Sequence, residues 1–162
     1  MESIPISVQG LEKMRKKLEA LKNERPGVIQ AIKEAREEGD LKENAGYHGA
    51  RERQGIIEAQ INYIESRIPV YDVIDLNTLD GDSIAFGATV ELEDMETGDT
   101  KVYTLLGPDE TDVSNGSISV HSPVAMALIG KMEGDEVVVD IPRGRVEYEI
   151  ISVEYKGYTS EG

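Results

Sequence analysis

The amino-acid sequence predicts an α+β protein in which a long antiparallel coiled-coil hairpin, residues 1–69, precedes a sheet-rich domain, residues 70–162. Apolar residues repeat every 3.5 positions in the first part, and short β-rich runs separated by turn residues fill the second. Charge divides the chain at the same place. The whole chain has 17 basic and 32 acidic residues, and residues 1–69 contain 12 of each. Residues 70–162 therefore contain the other 5 basic and 20 acidic residues.

Two apolar stripes define the predicted hairpin. Ser7 is a suitable N-cap for a first helix over residues 8–38, and Gly39 suits a left-handed helix end. The stripes consist of Leu11, Met14, Leu18, Leu21, Arg25, Val28, Ile32 and Ala35 on the first helix, and Tyr47, Ala50, Gln54, Ile57, Ile61, Ile64 and Ile68 on the second. They mirror each other about residue 41, so we expect two antiparallel helices that turn at residues 39–41.

Pro26 and Gly27 interrupt the helix-forming residues of the first stripe. A proline inside a helix costs about 3 kcal/mol and usually kinks it. The heptad phase is nevertheless the same before and after Pro26, which favours one kinked, continuous helix. The alternative is a break at Pro26, which would give a three-helix bundle.

The second part of the chain predicts a mostly antiparallel sheet with one short helix. β-rich runs occupy residues 89–93, 101–106, 118–121, 136–141 and 145–155, with glycine-containing turns between them. Residues 123–129 predict the helix, and Ser122 is its expected N-cap.

Composition excludes several classes of function. The chain has no Cys and only 2 His, which excludes disulfides, thiolate zinc sites and a histidine-rich metal site. Aromatic residues make up 5% of the chain, too few for an aromatic-lined pocket, so we expect no small-molecule substrate. The longest apolar run, residues 124–129, is far below the roughly 20 residues of a membrane span, and no secretory signal is visible. A net charge of −15 argues against a conventional DNA binder, and we expect a cytoplasmic protein without a membrane partner.

Asp40 and Glu43 at the predicted turn have two interpretations. In the first, Asp40 is the N-cap of the second helix and Glu43, three residues later, completes a capping box. In the second, both carboxylates are ligands for Mg²⁺, which prefers hard oxygen ligands and is often held by one or two carboxylates. Two carboxylates cannot form a tight site alone, so the ion would be held partly by another macromolecule, as in phosphodiester cleavage with two ions.

Three segments resemble a known family. The first is residues 34–54, which include Asp40-Leu41-Lys42-Glu43-Asn44, and the others are residues 84–90 (Ile-Ala-Phe-Gly-Ala-Thr-Val) and 122–131 (Ser-Pro-Val-Ala-Met-Ala-Leu-Ile-Gly-Lys). All three are similar to segments of the GreA/GreB family of bacterial transcript cleavage factors. The acidic charge and the lack of a long basic tract resemble GreA more than GreB.

The resemblance implies a function for the hairpin. Such factors insert their coiled coil into the secondary channel of RNA polymerase and stimulate the polymerase's own cleavage of backtracked RNA, without being enzymes themselves. Asp40 and Glu43 match the tip acids that assist the second Mg²⁺ in the polymerase active site. Asn44 and Tyr47 match positions that shape the tip.

The resemblance also implies contacts with RNA and polymerase. Arg51 and Arg53 lie where a basic patch can meet the 3′ end of the nascent RNA, although ordinary surface charge is the alternative. Ser122, Pro123 and the following helix are candidates for docking on polymerase, with a plain helix start as the alternative. The family usually has an acidic residue at position 46, where this chain has Gly46.

Three other functions compete with transcript cleavage. A channel inhibitor would share the shape without activating cleavage, and a structural coiled-coil adaptor would have no role in transcription. Residues 127–136 resemble part of an FKBP-type domain, so we expect residues 70–162 to form an FKBP-like domain. That fold is shared by prolyl isomerases, but Phe86, a few Tyr and no Trp do not supply an isomerase pocket.

Overall fold

A computed structural model describes residues 3–39 and 44–157. In chain order the elements are β1 (Ile4–Ser7), α1 (Val8–Glu37), α2 (Ala45–Arg67), β2 (Tyr71–Ile74), β3 (Thr89–Asp94), β4 (Thr100–Leu106), β5 (Ser117–Ser119), α3 (Pro123–Leu128), β6 (Glu136–Ile141) and β7 (Gly144–Glu154). Short 3₁₀ turns lie at Ile68–Val70, Leu76–Thr78 and Val113–Asn115. Within these described residues, no helix is both long and apolar enough to span a membrane.

The described chain separates into two compact units, one of Met1–Leu11 with Tyr71–Gly162 and one of Glu12–Val70. We call them the sheet unit and the hairpin unit. All of residues 1–69 are predicted to form the hairpin, but the described residues up to Leu11 group with the sheet unit. The physical reason is that β1 pairs in parallel with β2, with Ile4 opposite Tyr71 and Ser7 opposite Ile74.

The hairpin unit contains the predicted coiled coil. Helix α1 continues through Pro26, so the predicted continuous helix is observed and the three-helix alternative is wrong. Every position of the two predicted stripes is buried or half-buried. The buried members are Met14, Leu21, Ile32, Ala35, Ile57, Ile61 and Ile64. Burial of this seam is the main apolar stabilisation available to a helical hairpin.

The sheet unit contains the predicted sheet with one difference. In the described chain, five strands form one mixed sheet in the order β5-β4-β3-β7-β6. The pairs β3–β4, β3–β7 and β6–β7 are antiparallel, as expected, whereas β5 pairs in parallel with β4. The sheet is therefore mixed rather than antiparallel throughout, because the chain between β4 and β5 crosses back before it adds the edge strand.

Helix α3 covers one side of this sheet. Alternate residues of β3, Val90 and Leu92, are fully buried, and Ala125 and Leu128 of α3 join them in the same apolar cluster. Ser122 accepts a hydrogen bond from the Ala125 N–H (3.3 Å), which confirms the predicted N-cap.

Candidate functional site at the hairpin tip

Asp40 and Glu43, the predicted magnesium ligands, lie outside the described residues. The structure describes the two helix ends on either side of them. The Glu38 N–H donates to the Ala35 carbonyl (3.2 Å) and the Gly39 N–H to the Arg36 carbonyl (3.3 Å), which closes the end of α1. Gly39 has a φ of 106°, which glycine adopts without the penalty that a side chain would bring.

Asn44 joins the two helices at the tip. Its side-chain oxygen accepts a hydrogen bond from the Tyr47 N–H (3.0 Å), which makes it the N-cap of α2. Its side-chain nitrogen donates to the Ala35 carbonyl at the end of α1 (3.2 Å). Helix α2 begins at Ala45 with Asn44 as its N-cap, whereas Asp40, the cap that the sequence predicts, lies outside the described residues.

Tyr47 packs where the predicted register places it. Its side chain is half-buried near the end of α1, and Ala35, its predicted partner, is buried. The Arg36 guanidinium lies 6.0 Å from the centre of the Tyr47 ring, and the His48 ring meets the same ring edge-on at 5.5 Å between centroids. Both neighbours limit the orientations that the tyrosine ring can take.

Arg51 and Arg53 have different surroundings. Arg53 forms a bidentate ion pair across the hairpin with Glu24, with Nε 2.6 Å from Oε2 and Nη2 2.7 Å from Oε1. This hydrogen bonding lowers the pKa of Glu24 and raises the pKa of Arg53. Arg51 is exposed and lines a surface groove of about 470 Å³.

Two cations that the sequence analysis missed lie in the same groove as Arg51. The groove is lined by Ile29, Ile32, Lys33, Arg36, Glu37, Arg51 and Gln54, all in the hairpin unit. The mirrored register could have found Lys33 and Arg36, because it places the turn of α1 that contains them beside Arg51. Three positive side chains against one carboxylate make this groove a candidate site for an anionic chain.

Further ion pairs fix the register along the hairpin. Arg25, the charged residue of the first stripe, donates from Nη2 to Glu58 Oε2 (3.2 Å), and its Nε lies 2.8 Å from Oε1 as an ion-pair contact. Lys22 lies 3.2 Å from Glu65. These pairs join α1 to α2 in the antiparallel alignment that the stripes predict.

Ser122 and Pro123 lie in the sheet unit. The Ser122 hydroxyl oxygen is engaged as the cap of α3, and Pro123 is exposed in the first turn. On the same short helix and directly after it, Met126 and Ile129 are 67% and 43% exposed. Both residues lie in the helical segment after Ser122 that the sequence offers as a docking candidate.

Models of one family match almost the whole chain. The N-terminal domain of transcription elongation factors matches residues 4–73, and the C-terminal domain of GreA/GreB factors matches residues 79–155. The chain belongs to the GreA/GreB family of transcription elongation factors. The family resemblance of the sequence analysis is therefore confirmed.

Relatives within the GreA/GreB family are similar over their full length. Transcription elongation factor GreA of Nitratidesulfovibrio vulgaris strain DP4 is 65% identical over 157 residues, covering 97% of this chain and 96% of its own. The factor of the same name from Desulfovibrio desulfuricans is 65% identical over 162 residues, covering all of both chains. Among solved structures, GreA factor homolog 1 (Gfh1) of Thermus thermophilus is 25% identical, with 94% of this chain and 99% of that chain covered and a TM-score of 0.45.

Gly46 lies beside the cap. A Cβ at this position would lie 3.3 Å from Asn44 Oδ1, closer than an ordinary van der Waals contact. A side chain at position 46 would therefore press on the atom that caps α2. Elsewhere, residues 3–39 and 44–157 contain no group of three His, Cys, Asp or Glu side chains arranged to hold a metal ion.

Proposed function

We propose that this elongation factor inserts its hairpin tip into the secondary channel of RNA polymerase and stimulates the polymerase's own cleavage of backtracked nascent RNA. The observation that carries the proposal is the Asn44 clasp, which caps α2 and bonds to the Ala35 carbonyl of α1. The clasp joins the described ends of α1 and α2, and the segment between those ends contains Asp40 and Glu43. Family membership supports the same function.

Asp40 and Glu43 would supply carboxylate oxygens to a Mg²⁺ ion that polymerase already holds. The ion, when bound, lowers the pKa of a coordinated water and neutralises charge on the phosphodiester. The N-cap of α2 is Asn44. Asn44 and Tyr47 would hold the tip in shape, and the protein alone would cleave no RNA.

The groove beside the tip would contact the 3′ segment of the RNA. Lys33, Arg36 and Arg51 line it, and phosphate oxygens are the acceptors that such cations bind. The geometry favours Arg51 over Arg53, because the bidentate pair with Glu24 occupies the Arg53 guanidinium. Arg51→Ala is expected to raise the factor concentration needed for cleavage, whereas Arg53→Ala is expected to act through hairpin stability.

Docking on polymerase would use the start of α3. Pro123, Met126 and Ile129 are exposed, and the Ser122 cap holds the first turn of the helix. Apolar side chains on an exposed surface are typical of protein–protein contacts. Met126→Ser with Ile129→Ser is expected to weaken polymerase binding while the sheet unit stays folded, since neither side chain belongs to the buried cluster.

The decisive experiment uses stalled, backtracked polymerase and measures the release of short 3′ RNA fragments. The wild-type chain is expected to accelerate release, and Asp40→Asn with Glu43→Gln to abolish this while still competing with the wild type for polymerase. The matched control is Glu12→Gln with Glu19→Gln, two exposed glutamates of α1 outside the tip. Normal cleavage by the Asp40/Glu43 variant would reject the magnesium role. A wild type that only slows the polymerase would establish the inhibitor alternative.

A further inference from the structure

A turn in the sheet unit holds the place where the chain leaves for the hairpin. We call residues 107–110, Gly107-Pro108-Asp109-Glu110, the clamp turn. The Glu110 N–H donates to the Gly107 carbonyl (3.2 Å), and the Gly107 N–H donates back to Glu110 Oε2 (3.0 Å). The Glu110 side chain is therefore fixed by its own turn.

The Glu110 carboxylate binds the end of β1 and the start of α1. The Ser7 N–H donates to Oε2 (2.9 Å), and the Ser7 hydroxyl donates to Oε1. The same hydroxyl oxygen accepts from the Gly10 N–H (2.9 Å), which confirms Ser7 as the cap of α1. Ser7 is 2% exposed, so these bonds are shielded from water, and a carboxylate beside a helix N-terminus is favoured by the helix dipole.

Two glycines make this contact possible. A Cβ on Gly10 would overlap Glu110 Oε1, and a Cβ on Gly107 would overlap the Pro5 carbonyl oxygen. Both glycines have ordinary negative φ, so the requirement is for close approach rather than for an unusual backbone conformation. The clamp turn and the first residues of the chain thus fit together without room for a side chain.

The clamp turn also holds the strand on which the chain returns. The Tyr71 hydroxyl donates to Asp109 Oδ2 (2.7 Å), and Tyr71 is the first residue of β2. The chain leaves the sheet unit after Leu11 and re-enters it at Tyr71. Glu110 and Asp109 are adjacent residues, so a single turn contacts both segments that connect to the hairpin.

We propose that Glu110 is a positioning residue for transcript cleavage: through Ser7 it fixes the first turn of α1, and with Asp109 it ties together the two segments of the sheet unit from which the chain leaves for the hairpin and to which it returns. The proposal rests on the proposed function, because an ordered start of α1 matters only if the tip must reach a defined place in polymerase. All the contacts that carry it lie within the sheet unit, and α1 is one continuous helix from Val8 to Glu37.

The first test measures binding and cleavage separately. Glu110→Ala is expected to bind polymerase as the wild type does but to stimulate cleavage about tenfold less at saturation, the change that one charge-assisted hydrogen bond can produce. Glu110→Gln keeps the length and one acceptor oxygen and is expected to restore most of the activity. Glu96→Ala, an exposed glutamate of the same unit, is the matched control. Equal cleavage by Glu110→Ala and Glu96→Ala would overturn the proposal.

The second test measures motion without polymerase. Amide hydrogen exchange reports on the Ser7 and Gly10 N–H groups that the contact holds. Exchange of both amides is expected to accelerate about tenfold in Glu110→Ala and to stay unchanged in Glu96→Ala. Tyr71→Phe removes only the hydroxyl that binds Asp109, so it keeps the test informative if Glu110→Ala fails to fold, and it should accelerate exchange in β2. Unchanged exchange in a folded variant refutes the clamp, whereas a wild type that fails to stimulate cleavage refutes the proposed function alone.

Discussion

Replacing Asn44 tests whether one side chain holds the two helices together at the hairpin tip. Asn44→Ala removes the N-cap of α2, which is worth about 1 kcal/mol, and the bond to the Ala35 carbonyl, worth about 1 kcal/mol more. Asn44→Asp keeps the acceptor for the Tyr47 N–H but loses the donor to Ala35. We therefore expect a loss of roughly 2 kcal/mol for alanine and about half of that for aspartate.

Amide hydrogen exchange at the tip is the appropriate assay, because the chain has two units and a global unfolding midpoint would mix them. The Tyr47 amide is expected to exchange roughly 30-fold faster in Asn44→Ala, since about 1.4 kcal/mol corresponds to a factor of ten. Asn62→Ala, an exposed asparagine of α2, is the control and should leave Tyr47 unchanged. Equal exchange in the aspartate and alanine variants would refute the bond to Ala35, and no change in either would refute the clasp.

Three further predictions concern the rest of the molecule. Gly49→Ala should stabilise the hairpin by about 0.4–1 kcal/mol, because its Cβ would meet open space. Gly46→Ala should stabilise the hairpin less, because its Cβ would crowd the N-cap oxygen of Asn44. Hydrogen exchange in α2 measures both effects. The bidentate pair with Arg53 lowers the Glu24 pKa below its ordinary 4.5, so its stabilisation is present above pH 4.5 and is lost as pH falls through the lowered pKa. The stability difference between wild type and Glu24→Gln should accordingly vanish at low pH and shrink in high salt. Gly107→Ala should destabilise the sheet unit by about 1–3 kcal/mol through overpacking, and unchanged hydrogen exchange in that unit would contradict the close approach there.

Periodicity predicted the hairpin well because its seam is a local property of the sequence. An apolar stripe with a 3.5-residue period specifies which residues face the partner helix, and the structure buries or half-buries all of them. Pro26 did not end α1 because the stripe keeps its phase across it. The sheet strands were equally predictable, since turn residues separate runs of alternating burial such as Val90 and Leu92.

The parts that sequence reasoning missed depend on distant contacts. Strands β1 and β2 have four residues each, too few for alternation to show, and they pair across the whole hairpin. Asp40 and Asn44 are both good N-caps by local pattern, and that pattern does not reveal the bond from Asn44 to Ala35, nine residues earlier, that accompanies the start of α2 at Ala45. The pairing of Arg53 with Glu24 likewise depends on the alignment of two helices rather than on local pattern.

Polar contacts, rather than the apolar seam, specify how the two helices of the hairpin align. A heptad seam of similar aliphatic residues would be buried almost as well after a slip of one heptad, so burial alone discriminates weakly between registers. A slip would separate Arg25 from Glu58 and leave a half-buried charge without its partner. The free-energy cost of that unpaired charge is larger than the stabilisation that the intact pair provides. The Arg53–Glu24 pair and the Asn44 clasp would be broken by the same slip. These directional contacts therefore keep the ends of α1 and α2 level with each other, as the proposed function requires.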